Sequence, residues 1–172
     1  EGVDVSSIPE KIQNNIEFKV IQDDLVITNL HDDITDKLRS EKIAISASEL
    51  SASSEVRNAL FDIQRSFYTS EGLVADGRDM GTVVFKDAKL KLYLTASVEV
   101  RANRRYLELQ KRGQEVNMLA LIADIEQRDF KDSSRKLSPL LPADDAYVID
   151  SSKMSLEEVF EISKNLIEEE YI

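Results

Sequence analysis

Arg128, Asp132 and Arg135 follow one another at spacings of four and three, which on a helix sets a carboxylate between two guanidiniums along one face. Such a group can be a ligand site, with Asp132 accepting from a sugar hydroxyl and the arginines holding phosphate. It can equally be a structural ladder of ion pairs, and the spacing leaves both readings open. Arginine is the better bidentate partner for phosphate, and residues 101–135 hold six of the ten arginines: Arg101, Arg104, Arg105, Arg112, Arg128 and Arg135. Arg101, Arg104 and Arg105 form a second basic stripe, able to reach phosphates or to pair with Glu108. A third cluster is the string Asp76-Gly77-Arg78-Asp79-Met80-Gly81-Thr82. Asp76 closes the apolar run Leu73-Val74-Ala75. A carboxylate at the carboxyl end of a buried strand is placed to hold Mg²⁺ through water beside a phosphate, although Asp before Gly also caps ordinary turns. Arg78 and Asp79 add a phosphate donor and an acceptor in the same turn, and Gly77 and Gly81 permit close backbone approach. Ser48 and Arg57, further upstream, are ordinary helix residues by spacing alone. His31 is the only histidine, read as a surface residue, and there is no cysteine. Ser–His–Asp and Cys–His catalysis and His/Cys metal cages are therefore excluded.

The elements that must carry these residues read in two styles. Pro9 opens a helix over 9–15. Ile16–Ile21 alternates, Asp23-Asp24 punctuates, and Leu25–Thr28 follows, so a β-hairpin is expected, with a third short strand at Asp33–Thr35. Residues 37–69 read as helices; Val56, Ala59, Leu60, Ile63 and Phe67 fall on one face and Ser53 caps its start. Beyond these, short apolar runs at 73–75, 90–94 and 147–150 alternate with helical stretches over 97–112, 117–131 and 155–170. Gly113 stands where a C′ glycine ends the first of these, and Ser155 with Glu158 forms a capping box. Alternation of this kind predicts an α/β fold, a parallel sheet covered by helices and buried on both faces, with a small antiparallel β insert ahead of it.

Bulk properties narrow the function classes. The 172 residues suffice for a cored domain. The formal charge of −11 disfavours nucleic acid as a partner. No apolar run approaches the roughly 18–20 residues of a membrane helix, so no membrane partner is expected. The lack of cysteine favours an intracellular, cytoplasmic protein. An arginine cluster inside so acidic a chain points to a small anionic ligand held by specific groups.

The string Val74-Ala75-Asp76-Gly77-Arg78-Asp79-Met80-Gly81-Thr82-Val83-Val84-Phe85 resembles the signature of bacterial-type cytidylate kinases. The likeness continues through Arg101–Arg105, Gln127-Arg128-Asp129, Asp132, Arg135, Ser138-Pro139-Leu140 and Val148–Ser151, and covers residues 3–67, where that family carries an insert. The resemblance implies a P-loop NTPase-like, three-layer nucleoside monophosphate kinase fold. Residues 1–70 would be the monophosphate-binding region with its insert, and 71–172 the remaining core with an arginine-rich lid segment at about 101–135. It implies transfer of the γ-phosphoryl group of ATP to CMP or dCMP with Mg²⁺, by a cytoplasmic monomer. Ser48, Arg57 and Asp79 correspond to the cytosine-recognising group, Arg128 and Asp132 to the sugar pair, and Arg78 and Arg135 to the phosphate clamps. Asp76 corresponds to the Mg²⁺-associated acid and Arg104 to the lid. Asp76, Arg78, Arg104 and Arg135 are thereby the implied catalytic set.

One departure stands out. The family begins with a strand and a Gly-rich phosphate loop ending in Gly-Lys-Gly-Thr or similar, and neither that loop nor the segment after it occurs in these residues. Chemistry belongs on this reading to a longer protein of which the chain is a fragment, inactive by itself, with the apolar faces of its strands left unpaired. The competing readings are a nucleotide-binding module without catalysis and a plain structural α/β domain whose Arg–Asp–Arg face is only buried ion pairs.

Overall fold

A computed structural model describes residues 4–22, 24–38 and 40–171. The chain divides into two compact units, the first running to Val74 and the second from Ala75.

The first unit opens with a 3-10 turn, Val5–Ser7, and helix α1, Ile8–Asn15, with Pro9 in its first turn. Strand β1, Ile16–Ile21, pairs antiparallel with β2, Asp24–Asn29, in the register Phe18 opposite Ile27 and Val20 opposite Leu25. Leu30, at φ 57°, turns the chain into β3, Asp32–Asp33. The third strand thus lies one residue earlier than the expected Asp33–Thr35. Thr35 instead accepts from Ile27 N–H at 2.9 Å through its hydroxyl and opens α2, Thr35–Leu38. The expected Asp23-Asp24 punctuation falls partly on Asp23, which lies outside the described residues, as does Arg39 within the expected helices. His31 is exposed in the β2–β3 turn.

Helix α3, Glu41–Leu50, and α4, Ser54–Ser66, follow. Ser53 Oγ accepts from Val56 N–H at 3.4 Å to cap α4. Val56 and Ile63 are buried as the helical period demands, while Phe67 at the end of α4 meets Phe18 edge to face at 5.4 Å.

The expected strand at the junction of the two units is absent. Residues 73–75 form no strand; the backbone from Leu73 to Asp76 joins no ladder among the described residues, and Val74 is 92% exposed. A strand exists only through hydrogen bonds to a neighbour, and β propensity alone does not hold three residues there. The first regular element of the unit is a five-residue π-helical turn, Met80–Val84. Strand β4, Leu92–Thr95, pairs in parallel with β5, Tyr147–Asp150, Leu94 opposite Ile149.

The crossover between them is made by α5, Val98–Lys111, and α6, Met118–Ser133, which pack against each other. Gly113 takes φ 73° after α5, its N–H donating to Gln110 and the next N–H, from Gln114, donating to Leu109, which closes a Schellman motif. The last helix, α7, Leu156–Tyr171, starts with the reciprocal Ser155–Glu158 capping box. Val84, Ala96, Ala102 and Ile149 are buried. The expectation that the parallel strands are covered on both faces fails for this pair: Leu94 is 58% and Val148 59% exposed, because two strands shield far less of each other than a wide sheet does.

Candidate active site

The Asp76–Thr82 string is held as a turn rather than an open loop. Asp79 C=O accepts from Val83 N–H at 2.9 Å and Val84 N–H at 3.2 Å, and Met80 C=O from Phe85 N–H at 2.7 Å, which winds the segment into the π turn. Single π turns recur at functional sites. Gly81 packs closely on Lys91: a Cβ there would lie 3.3 Å from its Cδ, so Lys91 would have to give by a few tenths of an ångström. Lys91 is fixed in turn, Nζ donating to Lys86 C=O at 2.7 Å and pairing with Asp145 at 2.6 Å. The Thr82 hydroxyl is buried without a hydrogen-bond partner. Asp76 is exposed just ahead of the turn.

Arg78 leaves this turn to meet the end of α6. Its Nη1 lies 2.5 Å from Oδ2 of Asp132, and Nη2 of Arg135 faces Oδ1. Both are close ion pairs, and neither is aligned as a hydrogen bond. Asp132 has no exposed surface at all, whereas Arg78 keeps 35% of its side chain in solvent. A buried carboxylate in the last turn of a helix stands at the unfavourable end of the helix dipole, so the two guanidiniums are what make it tolerable. Burial, followed by repulsion from Arg128, holds the Arg78 guanidinium below its ordinary proton affinity, with Asp132 opposing both. Arg128 itself is exposed. Two cations therefore share one anion, with Arg128 near enough to repel Arg78, leaving a partly solvated cationic patch fit for an anionic ligand.

The structure places the other predicted residues as follows. Arg104, on α5, donates to Ser151 C=O at 2.7 Å and to Ser151 Oγ at 3.1 Å, and Ser151 Oγ donates to Thr95 C=O at 3.0 Å, which docks α5 on the carboxyl ends of β4 and β5. Arg105 pairs with Glu108 at 2.8 Å, the bland alternative for that stripe. Asp79 leads into the π turn. Ser48 on α3 and Arg57 on α4 belong to the first unit, where Arg57 Nη1 donates to Ser51 C=O at 3.3 Å and Ser48 C=O accepts from Ser51 Oγ at 2.8 Å. An open depression of about 650 Å³ lies at the carboxyl ends of β4 and β5, lined by Thr95, Arg101, Arg104, Asp129, Ser151 and Ser155 among others. Among the described residues no group of three His, Cys, Asp or Glu side chains is arranged to hold a metal, and no helix is long and apolar enough to cross a membrane.

Two features escape sequence reasoning. One is the Lys91–Gly81 contact, made by residues in no shared motif. The other is a bidentate pair between Arg101 and Asp129, at 3.0 and 2.5 Å, with Arg101 Nε donating to Ala96 C=O at 3.0 Å. Its members stand on different helices, so no helical spacing marks them.

Comparison with known proteins supplies a family. The family model described as cytidylate kinase matches residues 2–169. The chain is 52% identical over 130 residues to the cytidylate kinase of Pseudomonas aeruginosa (strain LESB58), covering 76% of this chain and 57% of that protein. It is 45% identical over 158 residues to the cytidylate kinase of Acinetobacter baylyi, covering 92% of this chain and 70% of that protein. It is 44% identical over 162 residues to that of Photobacterium profundum, covering 92% and 71%.

Proposed function

The chain belongs to the cytidylate kinase family, in its bacterial form, and on that premise we propose that the whole protein transfers the γ-phosphoryl group of ATP to CMP or dCMP. Membership also gives the fold class, an α/β nucleoside monophosphate kinase of the P-loop type. The observation that carries the functional reading is the pairing of Arg78 and Arg135 with the buried Asp132, with Arg128 close enough to repel Arg78.

In such a transfer an oxygen of the acceptor phosphate forms the new bond to phosphorus as the bond to the ADP leaving group breaks, giving CDP or dCDP. Little covalent work falls to the protein; positioning and charge stabilisation dominate. Arg78 and Arg135 hold the acceptor phosphate, and Arg128 and Asp132 read the sugar, Asp132 once the two arginines that bury it turn to the phosphate. Ser48, Arg57 and Asp79 are assigned the cytosine-recognising roles. A carboxylate accepts from the exocyclic amine of cytosine and repels the carbonyl that uracil presents there. Arg104 is proposed to act from the lid segment on the ATP phosphates.

Mg²⁺ is commonly held by one or two carboxylates together with substrate phosphates, not by an all-protein cage. The exposed Asp76, two residues ahead of Arg78, fits that mode. When bound, the ion neutralises charge developing on the transferred group. The proposal takes the protein as a cytoplasmic monomer working on free nucleotides, with residues 1–70 as the monophosphate-binding region and the lid at about 101–135.

A coupled ATP assay on the full gene product tests this. CMP and dCMP are expected to exceed UMP in kcat/KM by on the order of 100-fold or more. Equal rates, or none with CMP, sink the reading. Asp79→Ala is expected to lower the CMP-to-UMP preference by about tenfold or more; an unchanged preference removes Asp79 from base reading.

A further inference from the structure

Arg101 lines the depression at the carboxyl ends of β4 and β5 but has been given no role above, and its guanidinium makes three hydrogen bonds. Its fork donates through Nη1 to Oδ1 of Asp129 at 3.0 Å and through Nη2 to Oδ2 at 2.5 Å. Its third edge, Nε, donates to Ala96 C=O at 3.0 Å. One planar group thus joins three elements: the first turn of α5, the carboxyl end of β4 and the last part of α6. The pairing with Asp129 also raises the proton affinity of the guanidinium.

Asp129 directly follows Arg128 and precedes Asp132 by three. On α6 it stands about 60° around the axis from Asp132 and about 100° from Arg128. It therefore flanks the face that carries the candidate ligand groups and points instead toward α5. A bidentate contact has a direction as well as an energy. Fixing Asp129 in a fork that is itself anchored on β4 fixes how far α6 is rotated about its axis. That rotation sets where Arg128 and Asp132 point.

We propose that Arg101 is a positioning residue, touching no substrate, which through Asp129 sets the aim of the sugar-reading face of α6. The inference rests on the kinase reading, because it needs that face to bind the acceptor nucleotide.

The experiment is steady-state kinetics of the full gene product with CMP and ATP varied in turn, for the wild type, Arg101→Lys, Asp129→Asn and the double variant, each first checked for folding by circular dichroism. Arg101→Lys keeps the charge and loses the fork; Asp129→Asn removes the charge from the other side, so either variant reports if the other does not fold. KM for CMP is expected to rise roughly tenfold in both, as a misaimed site does. KM for ATP and the CMP-to-UMP preference are expected to stay within about twofold, since neither depends on this face. The double variant is expected to be no worse than the worse single, because both remove one interaction. A folded variant with unchanged KM for CMP, or a fall in kcat with both KM values unmoved, overturns the inference and leaves the kinase reading standing. Loss of fold in both variants also overturns it, since Arg101 is then a strut. A wild-type protein that turns over no CMP overturns the kinase reading, and the inference with it.

Discussion

Asp132 is the residue on which the second unit's charge balance turns. It is wholly buried, at the end of a helix whose dipole disfavours it, and it is tolerable only between Arg78 and Arg135. Removing its charge leaves those two arginines without the carboxylate they share. Asp132→Asn is therefore expected to lower folding stability by about 3 kcal/mol, the usual penalty for breaking one side of a buried pair. Inorganic phosphate is expected to restore more stability to this variant than it adds to the wild type, because the ligand supplies the missing charge. Denaturant melts with and without phosphate read both effects; equal phosphate effects in the two proteins would show that the arginines do not converge on an anion site. The spacing of Arg128, Asp132 and Arg135 made this cluster legible in the sequence. That Arg78 joins it was not legible from spacing, since 54 positions separate it from Asp132. Arg101 and Asp129 were missed as a pair for the same reason.

At the scale of elements, short acidic caps recur. Asp4 accepts from Ser6 N–H at 3.0 Å at the 3-10 turn before α1, Asp33 from Thr35 N–H at 2.9 Å before α2, and Asp150 from Ser152 N–H at 2.9 Å after β5. The hydroxyls of Ser6, Thr35 and Ser152 contribute most, followed by these backbone N–H groups, and each carboxyl is held below its ordinary 3.8. A depressed folded value means stabilisation that is complete above 3.8 and is lost as pH falls through the folded value. Thermal stability is thus expected to decline below pH 3.8, and Asp150→Asn to flatten that acid limb by removing one titrating cap. A limb unchanged in Asp150→Asn would mean the cap adds nothing to folding. Caps of this kind are local, which is why Ser53, Gly113 and the Ser155–Glu158 box were readable in advance. The strand expected at 73–75 was not, because a strand is made by its neighbour and not by its own residues.

Over the whole chain, the family match runs from residue 2 to 169 and so takes in both units. The charge of −11 belongs to a protein whose cations are grouped where they meet specific acids, not spread as a basic surface. Fold class and family were legible because the Asp76–Thr82 string is rare and contiguous. The extent of sheet was less so, since apolar content does not say how many strands will stand together. The stretch from Leu73 to Asp76, where one unit gives way to the next, has a further consequence. Its backbone is irregular, unladdered and exposed, with Val74 almost entirely in solvent, which is how a protease needs to find a peptide bond. A protease cutting after small aliphatic residues is expected to nick the chain there before it touches α5 or α6, as mass spectrometry of the first fragments would read. A first cut inside those helices would mean that they open more readily than this stretch is bound.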